Sequence, residues 1–143
     1  MKNLFSTIPF YLFFLIFSSF ACSKDVKDVD INLTYQLIGN KTWYLDYAQT
    51  STNSIVNTKT YLGQPTYFIN YLKNKTTTDS DGLTGTYSIV KMGSLLQIHV
   101  EAKTLSGNPS AYTYELESIG SKNMILSYEL NNTKTRLFFT SQQ

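Results

Sequence analysis

Residues 83–102, LTGTYSIVKMGSLLQIHVEA, contain two stretches in which apolar and polar positions alternate. One face of the first stretch carries Leu83, Gly85, Tyr87 and Ile89, and in the second Leu96, Ile98 and Val100 oppose Leu95, Gln97 and His99. A period of two is typical of β-strands. The Met92-Gly93 step between the stretches is typical of a tight turn. This segment therefore predicts an antiparallel β-hairpin.

Similar alternation recurs on both sides of this hairpin, and in WYLDYA it places Trp43, Leu45 and Tyr47 on one face. We predict eight strands: WYLDYA, IVNTKTY, TYFINYL, LTGTYSIV, SLLQIHVEA, AYTYELES, NMILSYEL and TKTRLFFT. Asn131-Asn132 predicts a hairpin turn between the last two strands. KNKTTTDSDG (residues 73–82) is expected to be a polar connection, and LSGNPS (residues 105–110) a loop.

A short helix is predicted ahead of the strands. In INLTYQLI, residues 31–38, Ile31, Tyr35 and Ile38 fall on one stripe, with Asp30 as the cap and Gly39 after the last turn. Short strands separated by turn signals about every ten residues predict an antiparallel all-β sandwich or barrel. A barrel of eight strands leaves no open edge and has space for a filled interior or one small ligand.

The first residues, MKNLFSTIPFYLFFLIFSSFA, have the layout of a secretory signal peptide. Lys2 precedes a short apolar block, Phe10 to Phe17, and the small residue Ala21 precedes the expected cleavage site. The rival interpretation is an uncleaved membrane anchor, which needs about 20 apolar residues. Polar residues and a proline interrupt this stretch, so we predict a signal peptide over residues 1–21.

Cys22 is the only cysteine of the chain and lies between this apolar segment and the polar tract KDVKDVD. A lone cysteine can be a buried thiol, a catalytic nucleophile, a cross-linking thiol or a point of covalent attachment. The polar neighbours argue against a core position, and the sole histidine, His99, is far away in sequence. Residues 22–30, short and charged, are interpreted as a tether.

Composition gives no reason to expect a nucleic acid partner. The chain has 12 Lys and Arg against 10 Asp and Glu, and residues 1–21 contain one lysine and no acid, which leaves a net charge of +1 on the remainder. Tyrosine is abundant, with 11 residues. Because tyrosine combines a ring with a hydroxyl, this abundance suits half-buried strands or a moist cavity.

No catalytic or metal-binding constellation is found in the sequence. Hydrolytic chemistry needs a base, and the sole histidine lies on a polar strand face. Zinc needs several Cys or His ligands. TTTDSDG (residues 76–82) lacks the first ligand of a calcium loop, and a solvated strand face explains the paired Glu115 and Glu117. We therefore predict no enzyme, no cofactor and no metal.

SSFAC, residues 18–22, resembles a bacterial lipobox, in which the cysteine is diacylated and becomes the first residue after cleavage. The following CSKD resembles the Cys-x-Lys-acid export signal of Bacteroidetes-type lipoproteins. These resemblances imply a lipoprotein signal peptide over residues 1–21 and lipid attachment at Cys22. They also imply that the membrane partner is the outer membrane, with the protein exposed at the cell surface.

Three further segments resemble small bacterial lipocalin-like domain lipoproteins: IGNKTWYLDY, YFINYLKNKTTTDSDGLTGTYSIV and YTYELESIGSKNMILSYEL. The similarity spans roughly residues 33–140. It implies that residues 31–143 form an eight-stranded antiparallel up-and-down barrel with a short N-terminal helix. It also implies that Arg136, from the last strand, stacks as a cation on Trp43; the alternative is an arginine exposed on an alternating strand.

The lipocalin-like resemblance implies that the barrel binds a small apolar or amphipathic ligand. The candidate cavity residues are Trp43, Phe68, Tyr87 and Tyr114. An alternative is a filled barrel that acts as a surface module and binds a protein or glycan through Tyr44, Tyr61 and Tyr112. A third is an inhibitor or immunity-type lipoprotein that uses the LSGNPS loop. The direction in which the tyrosines point distinguishes a carrier from a module.

Overall fold

The structure, a computed structural model, describes residues 31–62 and 67–142, with only the backbone of Gln142. The predicted signal peptide, the tether, Cys22 and the proposed cap Asp30 lie outside these residues. The described chain contains one helix, α1 (Ile31–Ile38), and nine strands. The strands are β1 (Lys41–Thr52), β2 (Ile55–Thr60), β3 (Phe68–Tyr71), β4 (Thr76–Asp79), β5 (Thr84–Met92), β6 (Leu95–Lys103), β7 (Pro109–Ile119), β8 (Asn123–Leu130) and β9 (Thr133–Gln142).

The strands form one antiparallel sheet that closes on itself. From β3 to β9 each strand pairs with the next, and β9 pairs back with β1. The other edge of β1 is shared, because residues 41–44 pair with β3 and residues 47–52 pair with β2. Among the described strands β2 pairs only with β1, so the closed ring has eight strands. This confirms the predicted eight-stranded barrel.

The ring includes a strand that the sequence does not predict. Thr76–Asp79 form β4 between β3 and β5, so the polar connection predicted over residues 73–82 is wrong for these four residues. Thr77 faces the interior, and its hydroxyl donates a hydrogen bond to the carbonyl of Asn70 at 3.0 Å. The predicted strand IVNTKTY contains β2, which is exposed throughout. It pairs with residues 47–52 of β1 and is not part of the closed ring.

A β-bulge between Leu45 and Tyr47 changes the faces of β1. Leu45 pairs with the buried Phe139, whereas Tyr47 pairs with Phe138. Adjacent residues of a strand point to opposite faces. Tyr47 therefore leaves the face of Trp43 and Leu45, and its ring stacks on that of Phe138 with 4.2 Å between the centroids. The prediction of one shared face is wrong for Tyr47, because a bulge inserts a residue and shifts the alternation.

The hairpin over residues 83–102 forms as predicted. β5 and β6 pair along their length, and Gly93 opens the two-residue turn with φ of 62°. The predicted turn between β8 and β9 also forms. There Asn131 and Asn132 both adopt positive φ, as a type I′ hairpin turn requires.

α1 closes one end of the barrel and has the predicted bounds. Ile38 is fully buried, and its carbonyl accepts a hydrogen bond from Trp43 Nε1 at 3.1 Å. Tyr35 packs against the core, and its hydroxyl oxygen accepts the N–H of Ile89 at 2.8 Å. Through these two contacts the helix is bonded to both β1 and β5.

The substitution Gly85→Ala is expected to lower the free energy of unfolding by about 1–3 kcal/mol, because overpacking shifts the backbone. A Cβ at this position would overlap the carbonyl oxygen of Glu101 and the Cα of Ala102 in β6. Urea unfolding measures the change. Gly120→Ala is the control, since its Cβ would meet only the carbonyl oxygen of Asn123 at 3.8 Å. Equal losses in the two variants would contradict a close approach of β5 and β6.

Candidate functional site

The two ends of the barrel differ. Around α1 the interior is filled by buried side chains, among them Trp43, Tyr87, Ile98 and Phe139. The opposite end, called the open end below, is bounded by the connections at residues 53–54, 80–83, 104–108 and 131–132. Any small-molecule site inside the barrel must therefore lie toward the open end.

A cavity of about 260 Å³ enters the barrel at the open end, mainly between β3, β4, β6 and β7. Four tyrosines and two aspartates contribute to its lining: Tyr67, Tyr71, Tyr112, Tyr114, Asp79 and Asp81. The other lining residues are aliphatic or threonine. Pockets for drug-sized ligands have volumes of about 300–1,000 Å³, so this cavity suits a smaller molecule.

β3 sends alternate side chains into the cavity. Ile69 and Tyr71 are buried and, together with Tyr67, line it. Phe68, between Tyr67 and Ile69 in sequence, points to the outer face, where its ring centroid is 6.0 Å from that of Tyr44. The prediction that Phe68 is a cavity residue is therefore wrong. Both faces of TYFINYL carry aromatic rings, so alternation alone does not tell which face is inside. The inward face is that of Tyr67, Ile69 and Tyr71.

The other three predicted cavity residues lie at different depths in the interior. Tyr114 lines the cavity, and its ring meets that of Tyr128 edge-on at 6.0 Å. Tyr87 is buried toward α1, and its hydroxyl donates to the carbonyl of Leu72 at 3.0 Å. Trp43 is fully buried against α1. Trp43 and Tyr87 are thus core residues that do not line this cavity, which corrects their predicted role.

The predicted stack of Arg136 on Trp43 does not form. Trp43 faces the interior, whereas Arg136 projects from the outer face of β9, where its Nε donates to Glu117 at 2.7 Å. The guanidinium of Arg136 lies 5.4 Å from the ring centroid of Phe138. Lys41 is the cation near Trp43, with Nζ 5.4 Å from the ring centroid. The prediction fails because the two side chains leave the sheet on opposite faces.

Asp79 is fixed in the turn at the mouth of the cavity. Its Oδ1 accepts the backbone N–H groups of Asp81 at 3.0 Å and Leu83 at 2.9 Å, and its Oδ2 accepts the hydroxyl of Tyr67 at 3.1 Å. Gly82 completes the turn with φ of 81°, a region that favours glycine. These three hydrogen bonds hold the Asp79 carboxylate in one position. TTTDSDG is therefore the end of a strand followed by a turn.

Tyr71 carries a buried hydroxyl that has no hydrogen-bond partner among the described residues. Its side chain is 0 % exposed and lines the cavity, and its Oη has no hydrogen-bond partner within the described part of the chain. Its ring packs edge-on against Tyr87, with 4.8 Å between centroids. A buried polar group left without a partner costs about 1–3 kcal/mol. The Tyr71 hydroxyl thus marks a point where a bound molecule would gain a hydrogen bond.

Three phenols of the cavity, those of Tyr67, Tyr71 and Tyr114, keep their protons at neutral pH. Burial raises the pKa of both Tyr67 and Tyr71 far above the usual value, and the Asp79 carboxylate raises both further. Burial also raises the pKa of Tyr114 to about 12, with smaller contributions that include Asp79. The cavity therefore presents neutral hydroxyls together with the carboxylates of Asp79 and Asp81.

The other residues considered for chemistry lie away from the cavity. His99 Nε2 is 3.2 Å from Gln97 Oε1 on the face opposite the buried Ile98. Glu117 is engaged on the outer surface by Lys134 Nζ at 2.8 Å and by Arg136. Within residues 31–62 and 67–142 no group of three or more His, Cys, Asp or Glu side chains is placed to hold a metal.

Tyr67, Tyr71 and Asp79 line the cavity but are not predicted as cavity residues from the sequence. A signal for the two tyrosines exists, because the inward face of TYFINYL is wholly apolar or aromatic whereas the other face carries Asn70. Asn70 lies on the outer face, where its side chain bonds with those of Thr42 and Thr78. Asp79 follows a run of threonines, whose alternation gives no signal.

Comparisons with known proteins add nothing to this geometry. No family model matches the chain, and neither a curated protein nor a solved structure matches it. The one helix of the described residues is too short to cross a membrane.

The substitution Glu117→Gln is expected to lower the free energy of unfolding by about 1 kcal/mol at pH 7. Burial alone would raise the pKa of Glu117, but hydrogen bonds from Lys134 and Arg136 outweigh it and lower that pKa. A lowered pKa in the folded state stabilises the protein at neutral pH, and this stability is lost as the pH falls through that pKa.

Urea unfolding at pH 7 and pH 3 measures the effect. The free energies of unfolding of the wild type and the variant should differ at pH 7 and approach each other at pH 3. Glu101→Gln, at an exposed position, is the control. A difference that is equally large at both pH values would contradict this account.

Proposed function

We propose that the protein is a lipid-anchored protein of the outer membrane, exposed at the cell surface, whose lipocalin-like barrel binds a small apolar or amphipathic molecule. The observation that carries the ligand-binding part of this proposal is the cavity at the open end, whose wall contains a Tyr71 hydroxyl with no hydrogen-bond partner among the described residues. Ile69, Leu83 and Val100 supply apolar surface to the same wall. Burying apolar ligand surface there contributes about 25 cal/mol per Å².

The direction of the tyrosines supports a carrier. Tyr67, Tyr71 and Tyr114 point into the cavity, where a tightly packed interior would place aliphatic side chains. Tyr67 and Tyr71 belong to one strand segment and Tyr114 faces them from another. Hydroxyls and ring faces on both sides of a small space can orient an amphipathic molecule.

The position of α1 is consistent with a membrane anchor at the N-terminus. The tether of residues 22–30 leads directly into α1, which closes the filled end of the barrel. A lipid on Cys22 would therefore attach the protein to the membrane from the filled end. The open end, with the cavity, would remain free to exchange its ligand.

Cys22→Ser is expected to move the protein from the membrane fraction to the soluble fraction, because the variant has no thiol for the lipid. Fractionation of the expressing bacteria, followed by immunoblotting, measures the change. Val29→Ser, which keeps the thiol and lies outside both SSFAC and CSKD, is the control and should remain with the membrane. Cys22→Ser protein that stays in the membrane fraction would overturn the lipid anchor.

Native mass spectrometry of the Cys22→Ser protein, purified without detergent from the organism that encodes it, is expected to show added mass that disappears on organic extraction. Adding Leu83→Trp should abolish the added mass, because this residue lines the cavity. Adding Leu95→Trp is the matched control, since Leu95 is exposed at the filled end. A clean unliganded mass in all three proteins would contradict the carrier function.

A surface-interaction module is the second candidate function. It is favoured by the apolar side chains exposed around the open end: Ile55, Val56, Leu105 and Leu130. Leu105 lies in the LSGNPS loop and is 85 % exposed. Of the tyrosines predicted for such a surface, Tyr112 is exposed, whereas Tyr44 and Tyr61 are half-buried. Capture of a protein or glycan that survives Leu83→Trp would support this function.

A further inference from the structure

The charges around the cavity define the kind of molecule that fits it. We infer that the ligand is a compact organic cation, with its ammonium group at Asp79 and Asp81 and an apolar or aromatic body between the tyrosine rings. This inference rests on the proposed carrier function and adds the chemical class of the ligand.

Among the described residues, the lining contains acidic side chains but no basic one. Asp79 and Asp81 contribute to the wall, and none of the described lining residues is Lys, Arg or His. The Asp79 carboxylate is held at the mouth of the cavity, because its oxygens accept hydrogen bonds from two backbone N–H groups and from the Tyr67 hydroxyl. Charges interact more strongly in a partly dry cavity than in water. The mouth therefore attracts cations and disfavours anions.

The tyrosine rings provide a second, independent attraction for a cation. Tyr112 and Tyr114 are nearly parallel, with 18° between ring planes and 6.4 Å between centroids, and both line the cavity. Aromatic faces attract organic cations, and tyrosine is among the residues that do so. The Tyr67 hydroxyl donates to Asp79 Oδ2 at 3.1 Å, so the carboxylate lies directly beside one of the tyrosines that line the cavity.

Tyr71 supplies the contact at the buried side of the cavity. Its hydroxyl is fully buried and has no hydrogen-bond partner among the described residues, so it can bond a polar group at the far end of a ligand. A cavity of about 260 Å³ has room for a small ligand. At about 30 Å³ for each water-sized group, that ligand has on the order of ten non-hydrogen atoms.

Three probes that share a 4-hydroxyphenyl-ethyl body and differ in the charge of the end group test the inference on the Cys22→Ser chain. They are tyramine, which is cationic at pH 7, neutral 4-ethylphenol, and anionic 3-(4-hydroxyphenyl)propionate. Titrations followed by ¹H–¹⁵N NMR give each Kd and show whether the shifts fall on cavity residues. Tyramine is expected to bind about tenfold more tightly than 4-ethylphenol, and the anion more weakly than both.

Variants assign the preference to the named groups. The pair Asp79→Asn and Asp81→Asn should weaken tyramine about tenfold and leave 4-ethylphenol unchanged. The amide oxygen that Asp79→Asn introduces can still accept the turn's N–H groups, and Glu101→Gln is the control on the outer face. Tyr71→Phe should weaken tyramine about fivefold without lowering the Tm, because it removes a hydroxyl that has no partner among the described residues.

Equal affinities for the three probes, tighter binding of the anion, or no effect of the aspartate pair would overturn the cation assignment and leave the carrier function standing. Absence of binding by all three probes would also overturn it. The carrier function would then depend on the added mass in native mass spectrometry.

Discussion

Closure of the sheet between β1 and β9 is the constraint on which the rest of the structure depends. β9 pairs with one edge of β1 along almost its whole length, while β3 and then β2 occupy the other edge. In a closed ring of eight strands every inward side chain lies near those of the opposite wall, so the interior is either filled or holds one small ligand. The bulge after Leu45 is part of this closure, because it lets Phe139 remain inside while Tyr47 stacks on Phe138 outside.

Within this ring the two ends are finished in different ways. α1 fills one end and is held there by the bond from Trp43 to Ile38 and by the contact between Tyr35 and Ile89. At the other end tyrosines line the cavity, and the fully buried one, Tyr71, reaches the residues that fill the first end. Tyr87 and Tyr71 lie in ring contact, yet of these two hydroxyls only that of Tyr87 has a partner among the described residues. Packing and a hydrogen bond to Leu72 account for Tyr87, whereas the Tyr71 hydroxyl is the group to which the proposed ligand would bond.

Much of the fold, but less of the site, follows from the sequence. The central hairpin, the Asn-Asn turn and α1 are specified by local signals, because apolar periodicity and turn residues act over short distances. β4 escapes such reasoning, since a strand of threonines followed by aspartate resembles a loop until Thr77 bonds to Asn70 of the neighbouring strand. The position of Arg136 depends on the face from which it leaves β9. The cavity likewise depends on which face of TYFINYL turns inward, and that choice is made by pairing with distant strands.

The central claim is that the cavity at the open end holds a small molecule that bonds to Tyr71. The most direct test is a crystal structure of the Cys22→Ser chain purified without detergent from the organism that encodes it. The account predicts density for a small organic molecule between the tyrosine rings, with a polar atom within hydrogen-bond distance of Tyr71 Oη. A cavity that is collapsed or filled by protein side chains, with Tyr71 Oη bonded to one of them, would contradict it.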